Sequence, residues 1–93
     1  MNKYQLITTS TFKKEYKKMV KRNYNISLLE KIVDQLLKGE KLPEKNKDHA
    51  LSGNWKGYRE CHIEHDWLLV YKIYEDKLIL SLSKTGTHSD LNF

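Results

Sequence analysis

A chain of 93 residues, 39% hydrophobic and 31% charged, has room for one small globular domain over residues 1–93, burying roughly 60–65% of its unfolded surface. No run reaches the roughly 18 apolar residues of a membrane span. The opening MNKYQLITTS also lacks the apolar core of a signal peptide, and the lone Cys61 excludes an internal disulfide, so a soluble cytoplasmic protein is expected.

The net charge of +5 at pH 7 favours an anionic partner such as nucleic acid, although a solubilising Lys-rich surface accounts for it equally well. Its distribution is uneven. Residues 1–50 hold twelve Lys and Arg against six Asp and Glu, whereas residues 51–93 hold five against six. The positive field therefore belongs to the first half, and three of the four histidines fall between residues 48 and 67.

Residues 4–7 are β-prone and predict a first strand. Residues 8–11 offer N-cap side chains for a helix whose apolar positions Phe12, Tyr16, Met19 and Val20 recur on one face, with Lys13, Lys14, Lys17, Lys18 and Lys21 covering the rest. That cationic face suits either a phosphate backbone or an acidic protein, or it is simply solvated. Ser27 and Glu30 have the spacing of a capping box at the start of a second helix with the stripe Leu29, Ile32, Val33, Leu36 and Leu37. Gly39 fits the left-handed position past its end, and Pro43 stops further helix. The two helices are expected to form a hairpin.

Residues 44–56 turn polar and read as a long functional loop. Three strands follow, over residues 57–63, over 67–74 and around Leu78, Leu80 and Leu82, with connections short enough to make them antiparallel. The order β-α-α-β-β-β predicts an α+β fold, with the helical pair on one face of a mostly antiparallel sheet and the other face open. Alternation places Tyr58, Glu60 and His62 on one face and Arg59, Cys61 and Ile63 on the other. It gives Lys84 the facing of Leu82 unless the ladder has already ended.

Cleaving RNA without a metal requires a base for the 2′-hydroxyl proton, an acid for the leaving 5′-oxygen, and a cation or donor for the phosphate. Histidine serves the first two because it changes charge near neutral pH. Cys61 and His62 are adjacent, so they point to opposite faces of a strand, and no regular zinc spacing appears; neither metal nor cofactor is expected.

The stretch DHALSGNWKGYRECHI (48–63), continued by DWLLVY (66–71) and TGTHSDL (85–91), closely resembles the YafQ family of toxins in the RelE/ParE superfamily. The resemblance implies a RelE-like fold and a ribosome-dependent mRNA endonuclease that cuts in the ribosomal A site by 2′-hydroxyl attack. It also implies a co-expressed antitoxin partner, with operator DNA bound through the antitoxin complex. The matching catalytic positions are His49, His62, Asp66 and His88: His88 as general acid, His62 and Asp66 as base or relay, His49 assisting. Trp67 lies beside them, and with Lys84 and Phe93 it is expected to bind substrate. Lys84 stands where the family commonly has arginine, and the final aromatic is shifted by one residue to Phe93. The alternative is a non-catalytic relative that inhibits gyrase by binding.

Overall fold

A computed structural model describes residues 1–91 of the chain. The first strand, β1, is Gln5–Thr8, and α1 runs over Ser10–Lys21. Thr9 caps α1 by accepting from the Phe12 amide at 3.0 Å, while its own hydroxyl donates to the Ser83 carbonyl at 2.9 Å and fastens the helix start to the sheet. Phe12 and Met19 are buried, but Val20, expected on the same face, is 46% exposed. The second helix, α2, is Ile26–Leu37. Asn25 caps it in place of the expected Ser27–Glu30 box: its side chain accepts from the Ser27 amide, and the Ser27 hydroxyl donates back to it at 2.6 Å. An extended residue with an acceptor immediately before the helix reaches those amides first. Gly39 has φ +77° and ends α2 as expected.

The expected long loop is partly structured. It contains single helical turns at Glu44–Asn46 and Gly53–Trp55, and between them a two-residue strand, β2, His49–Ala50. Next come β3 (Arg59–Glu64), β4 (Trp67–Tyr74) and β5 (Ile79–Gly86), and then a short helix, α3, His88–Leu91. The sheet order is β1-β5-β4-β3-β2; β1 runs parallel to β5, and the other pairs are antiparallel.

Both helices lie on one face of this sheet. Phe12, Met19, Leu29, Ile32 and Leu36 meet Cys61, Trp67, Leu69, Tyr71, Leu80 and Leu82 there to make the main core. Leu78, expected with them, sits exposed in the preceding turn at φ +53°. On the opposite face a smaller cluster forms from Leu68, Val70 and Leu91, edged by Leu51, Trp55 and Tyr58. Residues 51–58 and α3 thus roof part of the face expected to be open, and they wall the cleft described next.

Candidate active site

Two register features decide which side chains reach the open face. In the β3–β4 ladder the irregularity falls between His62 and Glu64, so Arg59 and Cys61 keep the core face while Glu60 and His62 keep the other. The turn at residues 65–66 then presents Asp66 outward. In the β4–β5 ladder Tyr71 pairs with Leu82 but Val70 with Lys84, leaving Ser83 as the extra residue.

Asp66 and His88 meet across that sheet end. One Asp66 oxygen, Oδ1, accepts from the His88 backbone N–H at 3.0 Å and lies 2.5 Å from the His88 ring Nδ1. The His88 backbone amide, and then its ring, hold the Asp66 carboxyl below the usual carboxylate range. A carboxylate at Nδ1 fixes the ring proton there and directs Nε2 away from Asp66. The His62 ring packs 5.5 Å from that of His88, centroid to centroid, at 57°. Its Nδ1 lies 3.3 Å from the His65 carbonyl, which can only accept, so Nδ1 carries the proton and Nε2 keeps the lone pair. Each ring thus engages an acceptor through Nδ1.

His49 is less closely joined to this pair. Its cross-strand partner is Glu60, and its Nε2 lies 3.4 Å from Glu60 Oε1 while Nδ1 donates to the Lys47 carbonyl at 2.7 Å. Glu60, two positions before His62 on the same strand face, lines a cleft of about 570 Å³ with Trp55, Leu68, His88 and Leu91. Sequence reading did not select Glu60, yet its shared parity with His62 was the available signal.

Three expected substrate contacts fare differently. Trp67 points into the core, 0% exposed, with Nε1 donating to Thr85 Oγ1 at 2.9 Å and its ring edge-on to Tyr24. As the first residue of β4 it takes the facing opposite to Leu68, and its expected place on the substrate is corrected to a place beneath the site. Lys84 Nζ lies 3.4 Å from Glu15 on α1, and Glu15 also accepts from the Thr85 amide. Phe93 lies outside the described residues. Neither arginine faces the cleft: Arg59 binds Asp48, which also accepts from Tyr71, and Arg22 binds Asp90 with two nitrogens at 2.6 and 3.2 Å.

The Arg22–Asp90 pair belongs to the site nonetheless, because it sets α3. Thr87 and Asp90 cap each other reciprocally, amide to side chain, at 2.9 and 3.1 Å. The Arg22 guanidinium holds the Asp90 carboxyl well below its ordinary range. Gly86 allows the closure, since a Cβ there would stand 2.9 Å from the Asp90 Cβ. Gly86→Ala is therefore expected to displace α3 and with it His88. A misplacement near 1 Å costs roughly 10²-fold in rate, which steady-state cleavage at unchanged secondary structure by circular dichroism would measure.

The α+β fold is shared by a class of small bacterial toxins, as similar solved structures show. A metal-bound toxin from Helicobacter pylori superposes with a TM-score of 0.89 at 40% identity, covering 95% of this chain and 98% of that one. Within that class, the family model described as "Bacterial toxin of type II toxin-antitoxin system, YafQ" matches residues 4–92, and the chain belongs to the YafQ family.

The mRNA interferase toxin YafQ of Escherichia coli K12 is 42% identical over 81 residues, 86% of each chain. The toxin in the E. coli DinJ–YafQ toxin–antitoxin complex superposes with a TM-score of 0.87 at 34% identity, covering 96% of this chain and 97% of that one. Among the described residues, no three His, Cys, Asp or Glu side chains are arranged to hold a metal ion. His88 and Asp66 already satisfy one another.

Proposed function

We infer that this chain is an endoribonuclease of a type II toxin–antitoxin module, cutting mRNA in the ribosomal A site without a metal. The observation that carries this reading is the pairing of an Asp66-held His88 with a His62 ring 5.5 Å away, both on the open sheet face. The related toxin's name, mRNA interferase, supports the same substrate.

His62 Nε2 takes the 2′-hydroxyl proton, the freed oxygen attacks the adjacent phosphorus, and the bond to the 5′-oxygen breaks. His88, protonated on both ring nitrogens beside the Asp66 carboxylate, gives its Nε2 proton to that leaving oxygen. The products are a 2′,3′-cyclic phosphate and a 5′-hydroxyl, with the proton moved and none consumed. His49 and Glu60 bound the far side and orient the nucleotide. Lys84 supplies charge to the phosphate only after leaving Glu15, and it lacks the bidentate grip of arginine.

The Lys-rich α1 provides the surface for ribosomal RNA and for the acidic part of an antitoxin, whose complex would bind operator DNA. A cytoplasmic site of action follows from that substrate. The test is to map cleavage ends on translated and untranslated message with purified ribosomes, with and without a chelator. Cuts confined to translated message and indifferent to the chelator are expected. Equal cutting of free RNA would sink ribosome dependence, and no cutting at all would favour a non-catalytic inhibitor.

A further inference from the structure

Beyond the reacting groups, the same sheet face carries a second arrangement that none of the chemistry above uses. Trp55 lines the cleft with Glu60 and His88, and the Tyr58 ring packs edge-on against it at 5.0 Å. Lys72 Nζ stands 5.0 Å from the Tyr58 ring centroid and 4.9 Å from that of Tyr74, and Lys77 Nζ stands 5.8 Å from the Tyr74 ring. Rings and ammonium groups thus form a continuous chain of contacts from Trp55 in the cleft to Lys77.

Strand parity builds this row. Leu68, Val70, Lys72 and Tyr74 are alternate residues of β4 on the face away from the helices, and Leu68 and Val70 form the floor beneath Trp55 and Tyr58. Tyr58 precedes β3 on the parity of Glu60 and His62. The row therefore continues the catalytic face. It does not wrap onto the core side, where Arg59 and Tyr71 are engaged with Asp48.

The composition fits one kind of occupant. Lysine is depleted at protein–protein interfaces, whereas this row sets two lysines among partly exposed rings. Rings give bases a stacking surface, and lysines between them meet the phosphates that link those bases. Two rings flank Lys72, so its stem is held and its charge is presented at a fixed place, which a solvated surface lysine does not do.

We propose that the row from Trp55 through Tyr58, Lys72 and Tyr74 to Lys77 is a single-stranded RNA track, holding message nucleotides beside the scissile phosphate. This rests on the endonuclease reading and adds where the substrate runs. Lys72 binds a phosphate; Trp55 and Tyr74 stack on bases. Neither lysine takes part in the proton transfers.

The experiment is single-turnover cleavage of message on ribosomes over a range of toxin and salt concentrations, using wild type, Lys72→Met, Lys72→Arg and Tyr74→Leu. Lys72→Met keeps the stem between the rings and removes only the charge. It should raise the half-saturating toxin concentration about fivefold to tenfold, leave the saturated rate within about twofold, and reduce the salt slope by about one. Lys72→Arg should restore both quantities. Tyr74→Leu should raise half-saturation about tenfold or more, without changing the salt slope.

A second arm places 4-thiouridine in the message beside the cut site, with a 2′-deoxy nucleotide at the cut to prevent cleavage. Crosslinks to residues 55–77 are expected. If wild type cuts message but Lys72→Met behaves identically and no crosslink reaches this segment, the track is overturned and the endonuclease reading stands. If wild type cuts nothing, the endonuclease reading fails, and the crosslinks still decide whether RNA lies here.

Discussion

On the proposed role of His88, its replacement by alanine is expected to lower message cleavage by roughly 10²–10⁴-fold, the range a placed general acid contributes, while leaving the melting temperature within a few degrees of wild type. The ring is more than half exposed and sits on a four-residue helix, so its removal opens no cavity in the core. Asp66→Asn should cost less. It keeps an oxygen for the His88 amide but loses the carboxylate that holds the ring.

Because Asp66 acts through His88, the double variant should be no slower than His88→Ala alone, and a double-mutant cycle on single-turnover rates checks this. Additive losses would mean that Asp66 touches substrate independently. The pH dependence has a definite sign. A carboxyl lowered by its partner contributes above its ordinary pKa and loses that contribution as pH falls through the lowered value. Asp66 therefore stays ionised to a lower pH than an ordinary carboxylate, and an acidic limb of the rate profile lying above the ordinary carboxylate range belongs to other groups. Asp66→Asn should leave such a limb in place.

Most of the architecture was legible because the signals were periodic. Apolar stripes gave α1 and α2, and β4 begins and ends where its β-prone run does. Alternation separated Arg59 from His62 correctly, since the β3 irregularity comes only after His62. What alternation could not give was the extra residue at Ser83, which pairs Lys84 with Val70 where simple counting gave it the facing of Leu82. The β2 strand has two residues and α3 has four, too few for either period to show. For α3 a different signal was present: Thr87 and Asp90 have the spacing of a reciprocal cap, and Gly86 precedes them. Glu60 was hidden for another reason: an acidic residue in a strand beside histidines carries no motif until β2 brings His49 opposite it.

Trp67 is where sequence adjacency misled, and the correction has the largest effect on stability. It follows Asp66 directly, but the turn ends between them: Asp66 faces His88, and Trp67 enters the core against Tyr24 and Thr85. Trp67→Ala should cost about 3–5 kcal/mol in cavity and lost burial. That is a large part of the roughly 5–15 kcal/mol that holds a domain of this kind together. The melting temperature should fall by roughly 12 °C or more at this chain length. Trp67→Phe keeps most of the ring and removes the indole donor, leaving Thr85 Oγ1 donating to the Leu68 carbonyl without its own donor partner, a loss of about 1–3 kcal/mol.

Activity separates the two roles that have been considered for this tryptophan. If it only supports the sheet end that carries Asp66 and Leu68, Trp67→Phe measured well below its melting temperature should cleave within about twofold of wild type at the same half-saturating concentration. The stability loss should appear in full by thermal denaturation. If it stacks on a base instead, half-saturation should rise while the melting temperature stays unchanged, because removing an indole from a substrate surface disturbs nothing in the core. The burial of the ring and its hydrogen bond to Thr85 require the first outcome.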